Sequence, residues 1–491
     1  MNNLFTLSVL FFPILAALFV FASSGNLSKK IALVAGLVQF LLSLVLLAKY
    51  QELGPLLLEF KMSWIGSLGV NFHVGIDGAG IIMVLLASFL LPIILLSTYQ
   101  KEIKNANAFY GLILLMTSAM IGVFMAYDLI LFYVFWEAAL IPIYFIAGYW
   151  GGEDRAKVTF KFFIYTILGS LFMLVAIIYV YVQTAGNRSF DYTAIQHLHL
   201  TMQEQTWLFW AFFLAFAIKL PIFPFHTWQP TTYATAPSSG SALLSGVMLK
   251  MGVFGILRWL YPISKSVFSS NADIAVVLAA IGVVYGAVLA LKQDDFKKLI
   301  AYSSISHVGL IAVGLFVANE LTLQGVLLQS FAHGINVVGL FIIAEIIESR
   351  TGTRKISELG GIASKSPRLA ILFLIILLGS VALPLTNGFP GEFLLLSGTF
   401  GFNPILAATV GLSVILGAVY SLRAYQHVIL GETNAITEKF TELKTSEFIS
   451  LVAICIAVIA FGVYPQFLVD LSSEDVSGFV KLISSTSICV K

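Results

Sequence analysis

Seven ionisable side chains stand inside otherwise apolar runs: Glu137, Lys219, Lys250, His307, His333, Glu345 and Glu392. Glu345 is near the end of its run and reads as interfacial; the other six are deep. A charge at the centre of a bilayer costs at least about 2.5–3.5 kcal/mol on the most lenient insertion scale, so such groups face a protein interior or water. Acids, bases and imidazoles are mixed among the six, no fixed metal-ligand spacing joins them, and His307 and His333 fall on different runs. A relay that gains and loses protons accounts for this mixture better than a metal site does. The plainer readings are a static ion pair for Glu137 or Lys250 and a satisfied hydrogen-bonding role for each histidine.

Two of the six adjoin interruptions. Lys219 is followed by Pro221 and Pro224 in LFWAFFLAFAIKLPIFPF, so a helix should stop there, with its last carbonyls favouring a cation. Leu383-Pro384 repeats the Leu220-Pro221 pattern, and TNGFPG then leads into Glu392, near a half-helix N-terminus that favours a carboxylate. Broken helix is tolerated in a bilayer only where protein or a cavity covers it. Pro142 cannot donate to the carbonyl of Ala138 beside Glu137. Lys250 lies in SGVMLKMGVFGILR, between glycines that let helices approach closely.

The elements that position these groups follow from composition. Of 491 residues, 59% are hydrophobic and 11% charged, against about 25% charged in soluble proteins. Apolar runs recur from end to end, which makes the chain an all-α polytopic membrane protein. The runs predict helices over 4–22, 31–49, 77–98, 109–126, 129–149, 158–182, 206–230, 239–261, 273–292, 297–317, 322–347, 369–402, 404–430 and 447–468, or about 14 transmembrane helices. The breaks at Pro221 and Pro384 fall at corresponding places of helices 7 and 12. That pattern points to two inverted five-helix repeats: an N-terminal three-helix segment 1–108, repeat one over 109–262, repeat two over 273–430, and a last helix with a short tail over 431–491.

With the N-terminus outside, 17 Lys and Arg residues fall on inside loops and seven on outside ones, as the positive-inside rule requires. Arg258 is among the seven. Both termini are then outside, and the first run, with no basic residue before it and Lys29 and Lys30 after it, reads as a retained span, not a cleaved signal. Cys455 and Cys489 form no CxxC pair. No Gly-rich phosphate loop, HExxH or haem-attachment motif occurs, and no basic tail suggests nucleic acid. A recognisable redox centre or metal site is therefore not expected in this chain.

FYVFWEAALIPIYFIAGYWGG, AFAIKLPIFPFHTWQP, SALLSGVMLKMGVFGILR, AYSSISHVGL and LPLTNGFPGEF together resemble the antiporter-like subunit family of proton-pumping NADH:quinone oxidoreductase, respiratory complex I. The resemblance spans about residues 70 to 430, and FWEAALIPIYF is closer to the M type than to N. L-type members are longer, with a lateral helix after the core. The resemblance implies that Glu137 pairs with Lys219, that Lys250 is the central lysine, that His307 and His333 line a hydrated axis, and that Glu392 exchanges protons with the far side. His226 matches a further family histidine, a possible accessory. It also implies partners in the membrane arm, especially L-type and N-type subunits and lipids, in a bacterial cytoplasmic (inner) membrane. NADH, FMN, Fe–S clusters and quinone would belong to partner subunits, with no cofactor in this chain. The rival readings are a subunit of a multi-subunit Na+/H+ antiporter and a structural spacer with static charges.

Overall fold

The computed structural model describes residues 2–54, 58–184 and 188–484, so Cys489 lies outside the described residues. Its helices are α1 (Asn2–Ala22), α2 (Asn26–Leu53), α3 (Gly78–Ser97), α4 (Ala106–Met125), α5 (Leu129–Trp150), α6 (Arg155–Gln183), α7 (Met202–Lys219), α8 (Ser238–Ile263), α9 (Phe268–Leu291), α10 (Phe296–Val317), α11 (Glu320–Thr351), α12 (Pro367–Ser380), α13 (Pro404–Ile429), α14 (Thr445–Val463) and α15 (Gln466–Ser484). Twelve helices among the described residues are long and apolar enough to cross a membrane. The two expected spans outside that twelve are the interrupted ones. The run at 206–230 divides into α7 and a short helix Gln229–Thr235, and the run at 369–402 into α12 and a second half-helix Gly388–Phe402.

Starts are set by side chains that satisfy the first backbone donors. Asp128 accepts from the backbone of Ile130 and Leu131 ahead of α5, Asp295 from Lys298 ahead of α10, and Asn319 caps α11. Thr201 and Glu204 cap α7 reciprocally. Burial then sorts the helices. The apolar stretches of α8 and α11 are wholly buried, whereas most of α2, α6 and α13 is not. A helix apolar on every side belongs inside a bundle, and one with an exposed apolar stripe faces lipid. Phe160, Ile164, Leu168, Leu171, Val175, Ile178 and Val182 form such a stripe on α6.

Several features depart from the sequence-based reading. The connection read over 50–76 holds an antiparallel hairpin, β1 (Phe60–Ile65) and β2 (Val70–Val74). Its His73 donates or accepts at Asp191 (2.7 Å) and meets Glu59, while Lys61 reaches Asp191 at 2.7 Å. α15 was not expected. α5 is interrupted at Ala139, and α8 contains two π-helical segments, Leu244–Met248 and Ile256–Leu260. Arg258, counted above among outside loop residues, is instead buried inside α8. It pairs with Asp77 at the start of α3 and is ringed by Tyr127, Tyr192 and Phe254. Glu345 pairs with Lys101.

Candidate functional site

α7 ends at Lys219, and the backbone groups that Pro221 disturbs are satisfied locally. The N–H of Leu220 donates to Phe216 (2.7 Å), that of Ile222 to Ala217 (2.8 Å), and the Trp228 indole donates to the carbonyl of Ile218 (2.9 Å). Lys219 Nζ is buried, makes no hydrogen bond, and lies 4.8 Å from the centroid of the Trp136 ring. That ring neighbours Glu137 in sequence. No ion pair within 4.0 Å joins Glu137 and Lys219 among the described residues; the expected pair is open in this conformation. Glu137 itself is half-buried, on a helix that presents Val134 and Ile141 outward.

Beside it, α8 brings Lys250 into the centre. Gly255 faces Phe216 of α7 so closely that an added Cβ would stand 2.5 Å from the ring. The π-helical turn before Lys250 explains its first partner. In an α-helix the N–H of Leu249 would serve the Ser245 carbonyl; here it bonds Leu244, and Ser245 accepts from Lys250 Nζ at 2.7 Å. π-turns of this kind recur at functional sites because they free a carbonyl.

From Lys250 the polar line continues across three elements. Lys250 Nζ lies 2.9 Å from His333 Nδ1, and His333 Nε2 lies 3.1 Å from Ser304 Oγ. With Lys250 as an ammonium, which can only donate, Nδ1 accepts and the ring proton sits on Nε2, facing Ser304. The rings of His333 and His307 are 6.2 Å apart, with a cavity of about 10 Å³ lined by Ser303, Ser304, Gln329 and Asn336 between them, the room one water needs. His307 Nδ1 then meets Glu392 Oε1 at 3.0 Å, and Gln329 Nε2 donates to the same oxygen at 3.1 Å.

Glu392 reaches that position because Gly388–Phe402 packs against α11 with almost no side chain between them; a Cβ on Gly391 would lie 2.7 Å from the backbone nitrogen of Gln329. The break before it runs through Ala382 and Leu385, both at positive φ, and is held by the N–H of Asn387 donating to Val458 of α14 at 2.8 Å.

Four of the six deep groups, Lys250, His333, His307 and Glu392, therefore form one line, and Lys219 and Glu137 stand near its start. His226 is buried against Phe223 and Tyr285, and its ring makes no hydrogen bond among the described residues, so it is not joined to the line. Sequence reasoning missed Ser304, Gln329 and Trp136, which hold members of the line in place. The available signal was polar residues on α10 and α11, helices that are otherwise apolar.

A family model described as NADH:quinone oxidoreductase/Mrp antiporter, TM, matches residues 126–417. NADH-quinone oxidoreductase subunit M of Rickettsia felis is 39% identical over 474 residues, covering 94% of this chain and 95% of that protein. A chain of respiratory complex I from Thermus thermophilus with bound NADH superposes with a TM-score of 0.91 at 32% identity, covering 98% of this chain and 100% of that one. A chain of the Mrp complex from Dietzia shares the fold, with a TM-score of 0.84 at 19% identity, over 99% of this chain and 98% of that one. The chain belongs to the NADH:quinone oxidoreductase/Mrp antiporter transmembrane family, as a relative of NADH-quinone oxidoreductase subunit M.

Proposed function

We propose that this chain is a proton-translocating membrane-arm subunit of NADH:quinone oxidoreductase, and that Lys219, Lys250, His333, His307 and Glu392, with Glu137 at the head, are its proton path. The observation that carries the path is the connected line from Lys250 Nζ to Glu392 Oε1, in which two contacts of 2.9 and 3.0 Å flank a cavity of one-water size. The electron-transfer groups, NADH, FMN, Fe–S clusters and quinone, belong to partner subunits in this reading. Redox chemistry there reaches this chain as an electrostatic perturbation.

Closing the gap between Glu137 and Lys219 favours the charged lysine; opening it removes that support, and the proton is released toward Lys250. Lys250 gives a proton to His333 Nδ1 while the Nε2 proton leaves toward Ser304. The imidazole thus changes tautomer and one proton advances. His307 takes it up across the one-water cavity and Glu392 delivers it to the far side. The whole is a set of coupled titrations and not a row of independent groups.

The breaks at 220–228 and 381–387, each following a helix that ends in mid-run, support reading 109–262 and 273–430 as inverted repeats within 14 crossings, with 1–108 and 431–491 flanking them. Other membrane-arm subunits, those of L and N type, are the partners in this reading. The location is a bacterial cytoplasmic membrane, with both termini on the outer side. The Na+/H+ antiporter alternative is less favoured, because the likeness to the Mrp chain is at 19% identity and the likeness to subunit M at 39%.

The test is proton pumping per electron in membrane vesicles carrying the assembled complex. Lys250→Ala or Glu137→Gln should abolish pumping or lower it sharply at normal assembly. Full proton-to-electron stoichiometry in both variants would remove the relay.

A further inference from the structure

A cavity approaches the relay from the face that carries the loops at 292–295, 352–366 and 430–444. It measures about 390 Å³ and lies between the end of α9, the start of α10 and the last turns of α13, with Lys292, Asp294, Arg423 and His427 among its lining residues. Its inner wall includes Tyr420. The Tyr420 ring is buried, and its hydroxyl lies 2.8 Å from Ser303 Oγ. Ser303 in turn lines the one-water cavity between His307 and His333. One hydrogen bond between two hydroxyls thus joins a side chain that lines the outer cavity to one that lines the small cavity beside His307 and His333. Ser303 and His307 stand four residues apart on α10, hence on one helix face.

We propose that Tyr420 and Ser303 form a hydroxyl gate through which protons enter the relay from the outer cavity, by way of α9, α10 and α13. The gate rests on the proton-path reading above and adds an entry to it. Both hydroxyls donate and accept, so no charge need form on either. Tyr420 takes a proton from a water or acid in the outer cavity as it gives its own to Ser303. Ser303 passes its proton across the inner cavity to His307 or His333. Each hydroxyl ends neutral, one O–H bond has formed and one has broken at each oxygen, and one proton has moved inward. Rotation of the tyrosyl hydroxyl back toward Ser303 resets the gate.

The experiment uses vesicles with the whole complex and follows pumping, assembly level and the solvent deuterium isotope effect. Tyr420→Phe keeps the ring and deletes only the hydroxyl. It should lower pumping about a hundredfold or more, the low end of what a lost proton-transfer group costs. Ser303→Ala should do the same and Ser303→Thr should restore the rate, a rescue that a packing role would not give because threonine is larger. In slowed but active variants the isotope effect should rise.

Lys250→Ala is measured alongside. Loss of pumping in Lys250→Ala with wild-type rates in Tyr420→Phe and Ser303→Ala overturns the gate and leaves the relay standing. Wild-type pumping in Lys250→Ala overturns the relay itself. Loss in Ser303→Thr equal to that in Ser303→Ala also counts against the gate, since a hydroxyl at that position would then not matter.

Discussion

Arg258 sits in α8 with its guanidinium buried against Asp77 and above three aromatic rings. Such a pair adds little net stability while intact, but removing one partner strands the other charge. Arg258→Leu should therefore cost about 3–5 kcal/mol, read as lower thermal stability of the purified complex. The hairpin corner offers a pH test. Burial alone would raise the Asp191 carboxyl, yet His73, Lys61 and Thr193 hold it well below the usual carboxylate range. Its stabilising contribution is present above that range and is lost only as pH falls through the depressed value, so it is constant between pH 5 and 8. Asp128 behaves oppositely. Burial pushes it up to about 6, against hydrogen bonds from Asn71, Leu131 and Ile130. Its contribution is full below the ordinary carboxylate range and is lost as pH rises through about 6. Hydrogen-exchange protection of Val70–Val74, corrected for intrinsic rates, should fall by about tenfold per unit of effective shift from pH 5 to 8. Asp128→Asn should remove that part of the dependence.

The interrupted helices do their work through close contact. Gly388–Phe402 can bring Glu392 to His307 and Gln329 only because Gly391 leaves no side chain against α11. Gly391→Val forces the half-helix away and carries the carboxylate with it. Overpacking of this kind costs about 1–3 kcal/mol, so the complex should still assemble while pumping is lost. Normal pumping in Gly391→Val would mean that Glu392 need not touch either partner. The α7 break is held differently, by the Trp228 indole on the Ile218 carbonyl. Trp228→Phe keeps most of the ring volume but strands that carbonyl, at about 1–3 kcal/mol, and should loosen the position of Lys219. The measurement is again thermal stability together with pumping per electron.

Across the whole molecule, the basic loops at 292–298, 350–368 and 439–444 gather at one end of the bundle, where Lys297 pairs with Glu348 and Arg350 with Glu447. If that end is the cytoplasmic one, a cysteine placed at Ser364 reacts with a membrane-impermeant thiol reagent only from the inside, and one at Ser270 only from the outside. The reverse pattern would invert the topology. Much of this was legible beforehand, because a bilayer imposes strict rules on composition: apolar runs of about 20 residues, breaks at proline, and rare charges that must be buried. The spans, both interruptions and the six deep ionisable groups follow from those rules and from the motifs at 132–152, 215–230 and 383–393. What local sequence could not reveal depends on neighbours distant in the chain. The π-turn before Lys250 packs against α3 and α11, the β1–β2 hairpin is tied to Asp128 and Asp191, and Arg258 is buried against Asp77, Tyr127 and Tyr192; all of these partners are distant in the chain. The order of the line itself depends on such neighbours too. Lys250, His333, His307 and Glu392 lie on four separate elements, and only their tertiary packing sets Lys250 within hydrogen-bond reach of His333 and His307 within reach of Glu392, brings the two imidazoles to 6.2 Å, and leaves Lys219 apart from Glu137.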